Sequence, residues 1–296
     1  ENAKNNLVVA NANATVNPFT LEVDAIVINS SSSQGPTDDL RIKPDITGYG
    51  TGVISPTTGD TYSNFSGTSM SAPNVTGSLV LLQEYYKNLN GEIMKAATLR
   101  GLVCHTAQDD DSYLGPDPKY GWGILNTKES AELIADDENG DALIEELNLV
   151  NNDTYTFDFN VTSGQKLIAT ICWTDVAGEP VSGADNLNNP TPRLVNDLDI
   201  RITKGGNTYY PWSLVYSETA GFSNTNSEDN NVDNVEKIEI EVPEAGNYSL
   251  TVSHKGELES HELFGDREQN FSLIISGADF TTLSNSNIDI NNNVMV

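Results

Sequence analysis

The sequence predicts an α/β segment followed by an all-β antiparallel sandwich or jelly roll. Three observations carry this prediction. Short β-branched apolar runs give way to helical apolar repeats in the first half, the apolar period falls to two beyond Asp141, and about seven alternating runs there are separated by Gly, Pro and Asn.

In chain order, Leu7 to Ala12 and Ala25 to Asn29 are short apolar runs of the kind that form buried strands. The stretch from Ser30 to Ser66 holds five Gly and three Pro and reads as loop. A helix opens near Thr68. Val75, Leu79, Leu82, Tyr86 and Leu89 then recur at spacings of four and three, and Pro73 fits a first turn, where its missing N–H would be unpaired anyway. Gly91 ends that helix, and a second runs from about Glu92 to Thr106. A third is signalled by Asn126 as N-cap, Glu129 three positions on, and Ala131, Leu133 and Ile134 behind them.

The polar stretch Asp136 to Asp141, with Asn139-Gly140 as a turn, marks the domain boundary. Beyond it Tyr155 to Val161 alternates cleanly, as do Ile238, Ile240 and Val242 with charged residues between them, and Leu250 with Val252. Lys166 to Trp173, Leu198 to Thr203, Tyr209 to Trp212 and Asn270 to Ser276 complete the set. From Ala278 the tail is rich in Ser and Asn and reads as a linker. The expected domains are therefore 1–140, 141–278 and a polar tail at 279–296.

Forty-three Asp and Glu against 15 Lys and Arg give a formal charge of -28, which argues against nucleic acid or an anionic membrane surface as partner. No apolar run reaches about 18 residues, so no membrane span is expected, and the N-terminus has no basic-then-apolar signal pattern. Cys104 and Cys172 fall in different expected domains and give no disulfide framework.

The chemistry concentrates in Phe65-Ser66-Gly67-Thr68-Ser69-Met70-Ser71-Ala72-Pro73, where a hydroxyl stands at the mouth of a helix. A serine needs a base to take its proton and donors aimed at the developing oxyanion. The first N–H groups of a helix have no partners within it and can supply such donors. Gly-Thr-Ser before a helix is also an ordinary cap, so the tripeptide alone decides nothing.

The longer string does. It resembles the nucleophile motif of the subtilisin-like serine proteases, with Val75-Thr76-Gly77 following as that family's Val-x-Gly. Ser31 to Thr37 and Lys43 to Ile46 resemble the family's approach to the catalytic serine, and Tyr120 to Asn126 its closing strand and turn. Cys172-Trp173-Thr174-Asp175, Leu194 to Asp199 and Asp233-Asn234-Val235-Glu236 are similar to the C-terminal jelly-roll β-sandwich of a branch of bacterial alkaline subtilases. Two positions depart from the family: Gly48-Tyr49-Gly50 stands where Ala-Pro-Gly is usual, and Asn74 follows the motif proline.

The resemblance implies the C-terminal part of a parallel-sheet subtilisin-like domain with Ser69 as nucleophile, its backbone N–H as one oxyanion donor, and no catalytic cofactor. The family's Asp, His and oxyanion Asn precede the serine, and residues 2–12 resemble the strand after that Asn, so these groups are expected outside this chain. The isolated chain is then expected to be inactive. His105 is expected to end a helix and satisfy its last carbonyls, while His254 and His261 flank a solvated turn. The resemblance also implies structural calcium, without a ligand assignment; the carboxylate clusters Asp109-Asp110-Asp111, Asp136 to Asp141, and Asn196 to Asp199 with Asp229 to Asp233 read either as oxygen donors for it or as solvated acidic surface. The expected protein is a secreted or cell-surface bacterial endopeptidase acting on proteins or peptides, its tail leading to a sorting or anchoring module. The alternative is a non-catalytic sandwich that binds glycans or a protein surface through exposed Tyr209, Tyr210 and Trp212.

Overall fold

The computed structural model describes residues 3–16, 23–109, 114–162, 164–179, 188–241, 243–261 and 265–280. The first part begins with a three-stranded sheet in the order β2-β1-β3, formed by β1 (Val9–Val16), β2 (Val23–Ile28) and β3 (Ile46–Tyr49). β3 runs parallel to β1, with Val9 opposite Ile46, but β2 runs antiparallel, with Ala12 opposite Ile28. The sheet is therefore mixed where a parallel one was expected. β2 lies on its edge with Val27 exposed, and an antiparallel edge strand needs no crossover helix.

The stretch expected to be loop also holds structure. Besides β3 it forms a hairpin of β4 (Val53–Thr57) and β5 (Thr61–Phe65), turned by Gly59 and Asp60 at positive φ. Pro56 is accommodated because this two-stranded ribbon consists entirely of edge. The glycines and prolines that read as loop mark its turns.

Three helices follow: α1 (Thr68–Asn90), α2 (Ala96–His105) and α3 (Thr127–Asn139). Gly91 closes α1 in the left-handed conformation. α1 buries Val75 and Leu82 but leaves Leu89 exposed, as it does Val80 and Leu81. α2 starts later than the sequence suggests, because the Gln83 side chain binds both the N–H and the carbonyl of Met94 and holds that connection out of the helix. Asn126 caps α3 by accepting from the Glu129 N–H, as its spacing predicts. α3 continues through Asp136, Asp137 and Glu138, so most of the polar stretch is helix and only Gly140 forms the turn.

The second part is two four-stranded antiparallel sheets sharing one apolar core. Its strands are β6 (Ala142–Val150), β7 (Tyr155–Val161), β8 (Leu167–Trp173), β9 (Asp197–Lys204), β10 (Asn207–Tyr209), β11 (Ser213–Ser217), β12 (Gly221–Thr225), β13 (Val235–Ile240), β14 (Gly246–Lys255) and β15 (Glu268–Ser276). One sheet has the order β13-β8-β15-β6 and the other β10-β9-β14-β7, while β11 and β12 form a separate ribbon. Trp173, Leu198, Ile200, Tyr248, Leu250 and Leu273 fill the space between the sheets. β6 contains Leu143-Ile144-Glu145-Glu146-Leu147, a helix-favouring run, yet pairs with β15 along its whole length. Tertiary pairing overrides that local preference.

The outer face of the β13-β8-β15-β6 sheet is not solvated. α2 and α3 lie on it, and Leu102, Val103, Ile134, Ala142, Ile144 and Ile274 form a common core between the two parts. This explains why the charged residues alternating through β13 are buried. Lys237 donates to the Cys104 carbonyl and pairs with Glu239 beneath α2. Val242, Asp110, Asp111 and the tail beyond Phe280 lie outside the described residues.

Candidate active site

Ser69 is the second residue of α1, and its side chain is exposed. Gly67 precedes the helix at φ 152, a backbone conformation that other residues rarely adopt. Its carbonyl accepts from the N–H groups of Met70 (3.0 Å) and Ser71 (3.2 Å). The Ser69 N–H has no partner within the helix, and the first turn carries no acidic residue to offset the positive end of the helix dipole. An anion placed beside Ser69 would meet a free donor in a favourable field.

The helix mouth is fixed from below. Ser71, fully buried, donates through Oγ to the Ala10 carbonyl of β1 at 2.7 Å, and Gly67 N–H donates to the Gly50 carbonyl at 2.9 Å. Gly48 and Gly50 explain why the atypical Gly48-Tyr49-Gly50 is tolerated here. A Cβ at Gly50 would stand 2.5 Å from Ser71 N and 2.7 Å from the Gly67 carbonyl oxygen, and one at Gly48 would stand 2.6 Å from Val75 Cγ2. The absent side chains let the strand lie directly under the helix start.

Pro73 departs from expectation: it is the sixth residue of α1, in the second turn. Its ring nitrogen removes the bond that would otherwise end on the Ser69 carbonyl. Beside Thr68 lies a cavity of about 450 Å³ lined by Val8, Val9, the loop from Ser33 to Thr37, Lys43 and Pro44.

None of the three histidines serves Ser69. His105 does end α2, but its ring bonds to Thr170 Oγ1 and Ser276 Oγ of the sandwich, both at 2.9 Å, and not to the helix carbonyls. Burial, reinforced by the nearby Lys237 ammonium, lowers its pKa to about 3. His254 is half-buried where a solvated residue was expected, and its Nε2 accepts from Asn152 N–H at 2.8 Å. His261 is exposed and bonds to Gln269 at 3.3 Å.

The calcium candidates resolve differently. Asp197, Asp199 and Asp229 gather around the Lys255 ammonium, with Arg201 pairing Asp229, so side-chain cations occupy that cluster. Asp137 instead accepts from Ile144 N–H, and Asp109 from Gly115 N–H. Among the described residues no group of three or more His, Cys, Asp or Glu is arranged to hold a metal ion.

Tyr209, Tyr210 and Trp212 are half-buried and do not form the exposed aromatic surface a glycan-binding module would need. Tyr209 packs on the sandwich core, and the Trp212 ring lies so close to Gly115 that a Cβ there would meet it at 2.8 Å. Trp212 Nε1 donates to Glu239.

The sequence reading assigned no role to the polar groups joining the two parts. Arg100, buried on α2, donates to Cys172 Sγ, the Lys4 carbonyl, the Trp173 carbonyl and the Asn234 carbonyl. The Asp175 carboxylate pairs with Lys4 and accepts from the N–H groups of Val176, Val195 and Asn196. Trp173 Nε1 donates to the Asn196 carbonyl. Three motif segments noted in the second half therefore meet in one network. Their density of Asp and Asn beside Trp was the available signal.

With this geometry in hand, comparison with known proteins is decisive for the first part: residues 1–123 match the model of the subtilase family. The first part is thus similar to the subtilases. C5a peptidase of Streptococcus pyogenes is 30% identical over 146 residues, covering 46% of this chain and 12% of that protein. The serine protease/ABC transporter B family protein tagA of Dictyostelium discoideum is 26% identical over 296 residues, covering 85% of this chain and 15% of its own length. That alignment is too long to end within the subtilase segment, so it runs into the sandwich. The structure of the self-cleaved protease domain of PatA is similar at 21% identity with a TM-score of 0.32, covering 44% of this chain and 41% of that one. This chain thus spans about an eighth of C5a peptidase and a similar share of tagA. No helix among the described residues is long and apolar enough to cross a membrane.

Proposed function

We propose that this chain is part of a secreted subtilisin-like serine endopeptidase in which Ser69 is the nucleophile. The observation that carries the reading is an exposed hydroxyl on an uncapped helix N-terminus that is itself pinned by Gly50, Gly67 and Ser71. Ser69 Oγ attacks the scissile carbonyl carbon as its proton passes to a base. The carbonyl electron pair moves to oxygen, where the Ser69 N–H receives it. Collapse of the tetrahedral intermediate breaks the C–N bond, the amine leaves with the proton, and water later hydrolyses the ester.

The chain's three histidines are engaged elsewhere, so the base, its orienting carboxylate and the Asn donor come from residues outside the chain. Exposed Leu81, Tyr85 and Leu89, spaced four apart on one face of α1, support a further segment packing there. The isolated chain is then inactive. In the second part, eight strands in two sheets ordered β6-β15-β8-β13 and β7-β14-β9-β10, with every connection except the β9–β10 hairpin crossing between the sheets, support the jelly-roll reading. We place the subtilisin-like part at 1–140 and the jelly roll at 141–280, two residues beyond the expected boundary, because Asp279 pairs with Asn160 and the Phe280 ring is buried in the sandwich core; the expected linker then begins after Phe280.

A fluorophosphonate probe tests the nucleophile. In the full-length protein it should label Ser69 and fail on the Ser69→Ala variant; equal labelling of the two would remove Ser69 from the mechanism.

A further inference from the structure

The cavity beside Thr68 has two walls, and both are tied to the sandwich. The first wall is the segment entering β1, which includes Ala3, Asn6, Val8 and Val9. Just outside the cavity Asn5 and Asp175 bond reciprocally: Asn5 Nδ2 donates to the Asp175 carbonyl at 2.8 Å, and Asp175 N–H donates to Asn5 Oδ1 at 2.9 Å. Asn234 Nδ2 adds a third bond, to Asn5 Oδ1 at 2.8 Å. Lys4, almost fully buried, pairs with the Asp175 carboxylate and donates to the Arg193 carbonyl at 2.9 Å.

The second wall runs from Ser33 to Pro44. Its Ile42 N–H donates to Asp233 Oδ1 at 2.9 Å, and Asp233 Oδ2 is braced by Asn230 Nδ2 at 2.9 Å. Asp38 accepts from Asn188 N–H at 3.1 Å. The walls are also joined to each other, through Val8 N–H to Asp45 Oδ2 at 2.6 Å and Asp45 N–H to the Val8 carbonyl at 2.9 Å.

We propose that the sandwich is a working part of the peptidase site, with Asn5, Asp175 and Asp233 as positioning residues that set the walls of this cavity and, through β1, the seat of Ser69. The connection is continuous. Asn5 fixes the entry to β1, the Ala10 carbonyl of β1 receives Ser71 Oγ at 2.7 Å, and Ser71 lies two residues along α1 from Ser69. The noncovalent links are hydrogen bonds of 2.7 to 2.9 Å and the rest is backbone held in β1 and α1, so a displacement at Asn5 is transmitted and not absorbed. The inference rests on Ser69 being the nucleophile.

The test uses the full-length protein, with Asn5→Ala on the first wall and Asp38→Ala on the second. Neither strands a buried charge. Asn148→Ala, which removes one exposed hydrogen bond on the sandwich, is the matched control. Both wall variants should show faster amide exchange in their own wall, residues 3–12 or 33–44, and roughly 10-fold slower fluorophosphonate labelling of Ser69, with thermal midpoints close to that of the control. Wild-type labelling rates despite faster wall exchange would overturn the proposal, as would unchanged exchange. If the unsubstituted protein is not labelled at Ser69, the peptidase reading fails, and the exchange data still decide whether the sandwich holds the walls.

Discussion

Replacing Gly50 by Ala should separate reactivity from folding at the helix mouth. The added Cβ would stand 2.5 Å from Ser71 N, 2.7 Å from the Gly67 carbonyl oxygen and 2.8 Å from Asn11 Oδ1. Ordinary contact requires about 3.5 Å, so the strand and the start of α1 must separate by roughly 1 Å. Two of the three obstructing atoms are backbone, and the third belongs to the fully buried Asn11, so no flexible side chain can give way. Overpacking of this size costs about 1–3 kcal/mol, less the ~0.4–1 kcal/mol that Gly→Ala recovers from the unfolded chain. The expected fall in thermal midpoint is therefore a few degrees. Reactivity is more sensitive, because a 1 Å misplacement of a reacting group costs about 100-fold. Fluorophosphonate labelling in the full-length protein should slow by about that factor while circular dichroism and cooperative unfolding persist. A variant labelled within about twofold of the wild-type rate would refute the argument that the Gly50 contact sets the position of Ser69.

Three further outcomes follow from the buried polar groups. His105 titrates at about 3 in the folded state against about 6.5 unfolded, so its contribution is present above pH 6.5 and is lost as pH falls toward 3. Thermal midpoints of a His105→Gln variant should accordingly depend less steeply on pH between 6.5 and 4 than those of the wild type. Asp137 has the opposite sign: burial raises its folded pKa to about 6, so the wild type loses stability as pH rises through 6, and Asp137→Asn should be relatively more stable at pH 8 than at pH 4. Arg100→Ala strands four acceptors at the junction of the two parts and should cost about 3–5 kcal/mol in urea unfolding. Arg100→Lys should not restore it, since an ammonium cannot span those acceptors as the planar fork does.

Much of the architecture was legible because it rests on local rules. Asn126 and Glu129 announced the start of α3, Gly91 the end of α1, and the period-two run from Tyr155 to Val161 a strand with one face in the core. What escaped was set by partners distant in sequence. β6 carries a helix-favouring composition and becomes a strand only because β15 pairs with it. Lys237 and Glu239 alternate with apolar residues as on a solvated edge, yet α2 covers that face, and Glu236 on the opposite face is buried against the Ile200 N–H of the facing sheet. At the site, Ser69 could be singled out from its flanking motif. Its fixation by Ser71 and the Ala10 carbonyl could not, since nothing in a linear reading links positions 61 residues apart.

The most direct measurement is mass-spectrometric mapping of the residue acylated when the full-length protein meets a fluorophosphonate. The account predicts a single adduct on the Ser69 peptide, abolished by heat unfolding and by Ser69→Ala. An adduct confined to another residue, with Ser69 untouched in a folded and proteolytically active preparation, would contradict it.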